Sequence, residues 1–467
     1  MSTPLPLGFV VQLNQRTRIK DGGLALIGGS PTRVLYMKPA AVELIVNGRV
    51  TVTDEVSAYL ADRLLETGIA DPVVEALADI LPSGVTYVVP VRDRPKALDR
   101  LLASIPRGAK VIVVDDASVH PDVIVRLAER HGAEIVPLPK NLGAAGARNA
   151  GMARVSTEFV AFVDSDVVLP ADSIPLMLRH FVDPRVAMVA PRVVGMGGTE
   201  RASWINRYED ALSSLDLGRH PAIVRPRALV SWVSGTTLLC RTSQLGPGFT
   251  ADMRSGEDVD LVWRLAEEGY RVRYEPAATV LHEHRSTVRA WMRRKAFYGT
   301  GAFKLGERHP NSIAPVILPP WGVVLILALL AQRRWSVPVA LTISVVTVLH
   351  ISTKLRRSAH PIRLATELTA NGAVASLVQL MALLLRHWWP AAAVAALFSQ
   401  RLRRAIAVAH IADTAIEYAR TGARLDPIRF GIARRLDDLA YGAGVWFSVV
   451  KGRSIRALLP NIRRSSD

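Results

Sequence analysis

The triplet Asp164-Ser165-Asp166 follows directly on the apolar run Phe159-Val160-Ala161-Phe162-Val163. Side chains two apart on an extended segment face the same side. Two carboxylates so placed hold a hard divalent cation, Mn2+ or Mg2+, which also binds a diphosphate. Such a cation neutralises charge that builds on a departing nucleotide. An Asp-x-Asp triplet is common by chance, so its neighbours decide what it is worth.

Those neighbours come in a fixed order. Val113-Val114-Asp115-Asp116-Ala117-Ser118 puts a carboxylate pair at another strand end, where it could accept hydrogen bonds from a nucleobase or ribose. Asn141-Leu142-Gly143-Ala144-Ala145-Gly146-Ala147-Arg148-Asn149-Ala150-Gly151 offers small residues that let backbone approach a phosphate or ribose. Arg148 within it could pair with an anion. No G-x-G-x-x-G follows a first strand, which argues against a dinucleotide-binding dehydrogenase. Ser255-Gly256-Glu257-Asp258-Val259-Asp260 opens a predicted helix. Its acidic residues suit the helix dipole, and one carboxylate there could take a proton from an acceptor hydroxyl. Glu275 to Arg285 carries His282 and His284 after a short strand. His282 could complete a metal site; a lone histidine is more often structural, and His284 is the weaker candidate.

The elements that must position these groups alternate. Val85–Val91, Val111–Val114, Phe159–Val163 and Val186–Ala190 are continuous apolar runs. Helical stretches such as Ala97–Ile105 and Val123–Arg130 lie between them. Buried strands alternating with helices predict an α/β, doubly wound, mostly parallel sheet. Ligands of such sheets bind beyond the carboxyl ends of the strands, where the acidic pairs fall.

On either side of this segment the composition changes. Residues 1–80 predict a small α+β unit: strands at Leu24–Ile27 and Val34–Met37, helices at Ala40–Val46 and Val56–Leu65, and Gly68 as a C-cap. Small β-elements followed by helices suggest a winged-helix-like, peptide-recognition-like module; an extension that only packs on the rest is the plainer alternative. Residues 81–310 form the α/β domain, and 311–467 a helical membrane-anchoring region with a basic tail. In that region Ala314–Ala331 and Trp335–Thr353 are uncharged, and predict a membrane hairpin. Asn371–Leu385 and Trp388–Gln400 form a weaker pair, re-entrant or interfacial. Lys295, Lys304 and Arg308 before the first run, with Lys354, Arg356 and Arg357 after the second, place both flanks in the cytoplasm. A buried soluble bundle is the alternative, since Pro319, Pro320 and Pro338 interrupt ideal spans.

The chain of 467 residues carries a formal charge of +17. Such a charge suits nucleic acid, anionic lipid or phosphorylated substrates. Zinc-finger spacing and RNA-binding aromatic motifs are absent, and many arginines beyond residue 285 flank apolar runs. Membrane lipids, not nucleic acid, are therefore the expected partner. The single cysteine, Cys240, excludes an internal disulfide and fits a reducing compartment. No cleavable signal peptide is expected in the first twenty residues, so the catalytic part is expected on the cytoplasmic side of the cell membrane.

Taken in order, the strand with Pro90, Val-Asp-Asp-x-Ser, Asn-x-Gly-x-x-x-x-Arg-Asn-x-Gly, Asp-x-Asp, Glu-Asp-Val-Asp-Leu-x-x-Arg and the final histidine resemble glycosyltransferase family two, of GT-A fold. The resemblance implies a nucleotide-sugar donor contacted by Pro90, Val91, Arg92, Asp115, Asp116, Gly143, Arg148, Asn149, Asp164 and Ser165. It implies a divalent metal on Asp164, Asp166 and His282, with Asp166 the more direct ligand, and Asp116 at the base. It implies catalysis by Asp258 as base, with Glu257 beside it, and inversion by direct displacement. Ile27-Gly28-Gly29-Ser30-Pro31-Thr32-Arg33, Ser214 to Arg219 and Arg294-Lys295-Ala296-Phe297-Tyr298-Gly299 look like the mycofactocin-system glycosyltransferases of actinobacteria. That narrower resemblance implies UDP-glucose as donor and a peptide-derived redox cofactor precursor as acceptor, decorated with β-linked glucose. A lipid-linked or cell-envelope glycan acceptor is the alternative within the same chemistry, and a non-catalytic peptide-binding scaffold the alternative outside it. Ala290-Trp291-Met292-Arg293-Arg294-Lys295 lacks the Gln-x-x-Arg-Trp pattern of processive polysaccharide synthases.

Overall fold

The computed structural model describes residues 4–197, 203–285 and 287–462. The basic tail beyond Ile462 lies outside them. The chain divides into two compact units, Met1–Gly198 with Ser213–His284, and Thr199–Leu212 with Arg285–Asp467. The division thus falls near residue 285, and a short helix from before it joins the second unit.

Within the first unit, the N-terminal part closes a core of its own around Phe9, Val11, Leu26, Leu60, Leu64 and Ile69. It contains β1 (Val10–Leu13), β2 (Arg18–Lys20), β3 (Ala25–Gly28), β4 (Arg33–Tyr36), α1 (Pro39–Glu43), β5 (Arg49–Thr51), α2 (Glu55–Thr67) and β6 (Ala70–Pro72). Two three-stranded antiparallel sheets result, β5-β1-β6 and β2-β3-β4. The strand content exceeds the two short strands that apolar runs predict, because β1, β5 and β6 have only three or four residues each. Asp54 and Ser57 cap α2 reciprocally, with Ser57 N donating to Asp54 Oδ1 at 2.8 Å. Gly68, at φ +68°, ends α2 in the left-handed conformation expected of it.

The rest of the first unit is built on a nine-stranded sheet. Its elements are β7 (Val85–Val91), α3 (Pro95–Ser104), β8 (Lys110–Asp115), α4 (Pro121–Arg130), β9 (Glu134–Pro137), α5 (Gly143–Met152), β10 (Phe159–Val163), β11 (Val167–Val168), α6 (Ser173–Arg179) and β12 (Val186–Gly195). After Ser213 come β13 (Ala222–Val224), β14 (Thr237–Arg241), α8 (Glu257–Glu267) and β15 (Arg271–His282). The strand order is β11-β15-β12-β14-β10-β7-β8-β9, with β13 also on β15. Strands β10, β7, β8 and β9 are parallel, as are β12 and β15. Yet β14 runs antiparallel between β10 and β12, and β11 and β13 run antiparallel to β15. The sheet is therefore mixed, not mostly parallel. The expectation failed at β14, whose run Thr237-Leu238-Leu239-Cys240-Arg241 follows a loop instead of a helix and so needs no crossover. Gly151 lets α5 lie close on the sheet: a Cβ there would sit 2.4 Å from Val88 Cγ1.

The second unit is helical: α7 (Trp204–Leu212), α9 (Val288–Gly299), α10 (Ala302–Arg308), α11 (Pro320–Ala331), α12 (Ser336–Lys354), α13 (Pro361–Ala382), α14 (Trp389–Phe398), α15 (Gln400–Thr421) and α16 (Pro427–Gly452). A π-helical turn, Leu383–His387, joins α13 to α14. Helices α9 and α16 pack closely at glycines; a Cβ on Gly444 would stand 1.8 Å from the Ala296 carbonyl oxygen. Beside this contact the buried Lys295 ammonium meets Glu209 Oε1 at 2.9 Å and Asp437 Oδ2 at 3.2 Å. Two helices, Ser336–Lys354 and Pro361–His387, are long and apolar enough to cross a membrane. The first matches the expected run Trp335–Thr353, but its partner is not the run from Ala314. The run from Ala314 yields a helix of only 12 residues, because Pro319 and Pro320 delay its start. The helix expected from Asn371 instead begins at Pro361.

Candidate active site

The acidic motifs of the first unit fall at strand and helix ends, as their positions after apolar runs require. Asp115 closes β8, and its Oδ1 accepts from Ser118 N at 3.1 Å. Asp116, buried, accepts from Leu142 N at 2.6 Å, Gly143 N at 2.9 Å and Asn141 Nδ2 at 2.8 Å. Its carboxylate thereby holds the turn that starts α5. Gly143 takes φ +79° in that turn, where a Cβ would meet the Arg254 guanidinium at 2.9 Å. Pro90 and Val91 end β7, with Val91 accepting from Asp116 N at 2.9 Å. Arg92 is exposed and lies 3.6 Å from Asp93.

Helix α5 turns Arg148 inward. Its side chain is 3% exposed, and its Nη2 donates to Asp164 Oδ1 at 2.6 Å and to the Gly235 carbonyl at 2.9 Å. Nη1 donates to Glu257 Oε1 at 3.0 Å. The ring of Phe249 lies 5.2 Å from the guanidinium carbon. Asn149, the next residue, donates to the Phe249 carbonyl at 2.7 Å and accepts from Phe249 N at 2.8 Å. Arg148 and Asn149, both expected at a donor, are thus engaged by the chain itself. Helical geometry explains this, because the turn that buries one beside β10 leaves the other facing the loop before α8.

Asp164, Ser165 and Asp166 follow β10, with Asp164 N donating to the Thr236 carbonyl at 2.9 Å. Ser165 and Asp166 are buried. Asp166 pairs with Arg94, a residue the sequence did not single out. Its Oδ2 lies 3.7 Å from His282 Nε2, and its carbonyl accepts from Glu283 N at 3.1 Å. The pairing of β11 with β15 brings Val167 opposite His282 and so fixes this approach. The ring of His284 lies 5.9 Å from that of His282.

Glu257 and Asp258 open α8 after Gly256, which takes φ +82°. Asp258 Oδ2 accepts from Gly235 N at 2.7 Å, and its Oδ1 accepts from Val259 N at 2.8 Å. Burial pushes the Glu257 carboxyl up to about 7, helped by the Asp258 charge and opposed by Arg148. Gly235 is the hinge of this arrangement, since its carbonyl holds Arg148 and its amide holds Asp258. A Cβ there would lie 2.8 Å from Arg148 Nη2. The turn signal Ser234-Gly235 before a strand is the one cue the sequence offers for it.

A divalent cation fits this end of the sheet by donor chemistry. Carboxylate oxygens and an imidazole nitrogen are ligands such ions take. Asp166 and His282 already approach each other, and the Asp164 carboxylate is 28% exposed. Among the described residues no group of three His, Cys, Asp or Glu side chains converges; Arg94 and Arg148 occupy the carboxylates.

The sequence pattern of glycosyl transferase family 2 matches residues 86–229, and that of glycosyl transferase family group 2 matches residues 159–402. The chain belongs to glycosyltransferase family 2. This glycosyltransferase is 41% identical to the pre-mycofactocin glycosyltransferase of Mycobacterium tuberculosis, over 99% of each chain. It is 30% identical to an uncharacterized glycosyltransferase of Mycobacterium bovis, over 40% of this chain and 81% of that one. A solved mannosyltransferase from Pyrobaculum calidifontis, in complex with GDP-Man and Mn2+, is 21% identical at a TM-score of 0.38, covering 64% of this chain and 89% of that one. Family and strand order together make the first unit a GT-A-like glycosyltransferase fold with a mixed sheet.

Proposed function

We propose that this glycosyltransferase moves glucose from UDP-glucose onto a peptide-derived redox cofactor precursor, premycofactocin, with inversion, and builds β-linked glucose oligomers. The acceptor is suggested by the name of the M. tuberculosis relative, which matches along almost its whole length. The observation that carries the chemistry is the approach of Asp258 to the Asp164–Asp166 turn through one residue, Gly235, and one guanidinium, Arg148.

Asp258 is the base. Its carboxylate takes the proton of the acceptor hydroxyl as that oxygen bonds to the anomeric carbon. The bond from the anomeric carbon to the diphosphate breaks, and UDP leaves from the opposite face. Two backbone N–H donors orient the Asp258 carboxylate. Asp164, Asp166 and His282 would hold the divalent metal, which neutralises charge on the departing diphosphate. Asp115, Asp116, Gly143 and the end of β7 at Pro90, Val91 and Arg92 shape the nucleotide side, with Ser165 between the metal carboxylates. The N-terminal module, with its hairpin β3–β4 ahead of α1 and α2, is winged-helix-like and recognises the peptide-derived acceptor. The second unit holds the enzyme at the cytoplasmic face of the cell membrane, in contact with lipid.

Mass spectrometry of enzyme incubated with UDP-glucose, Mn2+ and the precursor tests this, beside Asp258→Asn. A precursor heavier by one or more hexoses, absent with Asp258→Asn, is the expected result. An unmodified precursor with metal-dependent turnover of UDP-glucose would move the acceptor to a lipid-linked or envelope glycan. Absence of any turnover would overturn the donor.

A further inference from the structure

Helices α12 and α13 are built inside out for water. Val337, Leu341, Val345 and Leu349 of α12 face outward, each more than half exposed, whereas Ser336 and Thr347 are buried. The inward hydroxyls of Ser344 and Thr347 bond to carbonyls one turn back, both at 2.7 Å. The second half of α13 repeats the pattern, with Val374 and Val378 outward and Ser376 inward on the Gly372 carbonyl at 2.8 Å. Apolar residues outside and small, internally bonded hydroxyls inside suit hydrocarbon.

Length and connectivity restrict how this surface meets a bilayer. The hydrocarbon core is roughly 30 Å thick. At about 1.5 Å per residue, α11 reaches about 18 Å and α14 about 15 Å. Helix α12, with 19 residues, reaches about 28 Å. It cannot cross alone, because α9 precedes it, α16 follows it, and those two pack together at Gly299 and Gly444. The chain must return, and among the described residues α13 is the remaining helix of sufficient length and apolarity. But the first turns of α13 carry Arg363, Glu367 and Asn371, with Arg363 mostly exposed and 3.7 Å from Glu367. Its uncharged run from Leu368 to Leu385 reaches about 27 Å, so the charges at its two ends, and not its length, decide how it sits. The end of α12 and the short link after it add Lys354, Arg356 and Arg357. Short basic loops stay on the cytoplasmic side.

We propose that α11 to α14 form a one-sided anchor that enters an anionic leaflet and does not cross the bilayer. The outward faces of α12 and of the second half of α13 meet the acyl chains. Arg333 and Arg334 at one end, and Lys354, Arg356 and Arg363 at the other, meet the acidic headgroups, with the exposed Trp335 at the interface. The inference rests on the membrane reading above and fixes its topology.

Cys240, the sole cysteine, is fully buried, so a new surface thiol is the one a bulky impermeant maleimide reaches. Arg356→Cys marks the α12–α13 link, and Arg424→Cys marks the α15–α16 turn; both positions are exposed. The full-length variants are labelled in inside-out vesicles and in spheroplasts of an expressing bacterium. Both should label in inside-out vesicles and neither in spheroplasts. Labelling of Arg356→Cys from outside, with Arg424→Cys reached from inside, would overturn the one-sided anchor and keep the membrane reading. Recovery of both variants in the soluble fraction after gentle lysis would overturn the two together.

Discussion

Arg148 and Glu257, 109 residues apart in sequence, meet at 3.0 Å in a buried ion pair. The same guanidinium reaches Asp164 at 2.6 Å. One planar fork therefore ties the end of β10 to the start of α8, so the carboxylates expected at the metal and the expected base share a support. A planar fork fixes the directions of its two contacts, which the rotatable donors of an ammonium do not.

Arg148→Met should leave Asp164 and Glu257 facing each other without a cation. Breaking a buried pair in this way costs about 3–5 kcal/mol, read as a lower midpoint in urea unfolding. Arg148→Lys should recover part of that stability. It should still lose at least about 100-fold in kcat, since misplacement of about 1 Å has that effect. Equal recovery of stability and rate by lysine would mean that charge alone matters.

Glu257 predicts a pH dependence. Its folded carboxyl is pushed up to about 7, above its ordinary value of 4.5, so the fold disfavours the ionised form. As pH rises from 4.5 to 7, the unfolded chain ionises first, and wild-type stability falls. Above 7 the penalty is constant. Glu257→Gln does not titrate, so the gap between the two stability curves should change across that window, on the order of 3 kcal/mol. Unfolding midpoints measured at pH 5, 6, 7 and 8 check this. Parallel curves would sink it.

The strands that carry the acidic motifs were legible because they are fully buried and apolar. Val85–Val91 and Phe159–Val163 appear with the expected bounds. Asp164, Asp166 and His282 stand at or just after such runs, and Glu257 and Asp258 at the start of a helix that its Ser-Gly and acidic first turn announce. What was not legible is antiparallel or held by single contacts. Strand β14 reads like its parallel neighbours, because burial on both faces gives the same apolar run whatever the direction. Arg94, Gly235 and Phe249 matter only through contacts far apart in sequence, and Arg94 lies among other basic residues with nothing local to mark it. The hold of Asp116 on the turn before α5 is not legible either, because its donors, the amides of Leu142 and Gly143, are backbone groups that no motif displays.

Asp258→Asn should lower kcat by about 100- to 10,000-fold, the range of a lost general base. The amide oxygen can still accept from Gly235 N, while the NH2 group replaces the acceptor of Val259 N, so a small loss of stability is expected and donor binding should hold. UDP-glucose binding by calorimetry, beside the rate of hexose transfer, separates the two. Loss of donor affinity in step with rate would instead assign Asp258 to the donor pocket.

Asn149 closes two hydrogen bonds on the Phe249 backbone, and the Phe249 ring faces Arg148 at 5.2 Å. Its effect on transfer should therefore pass through Phe249 and Arg148, and not through direct contact with the donor. Asn149→Ala should lower kcat by about 10-fold and leave KM for UDP-glucose nearly unchanged. Phe249→Leu should do much the same, and the double variant should fall short of the summed effects, because residues in contact couple by about 0.5–3 kcal/mol. A donor contact would behave differently: KM would rise in Asn149→Ala, and the Phe249→Leu effect would add to it in full.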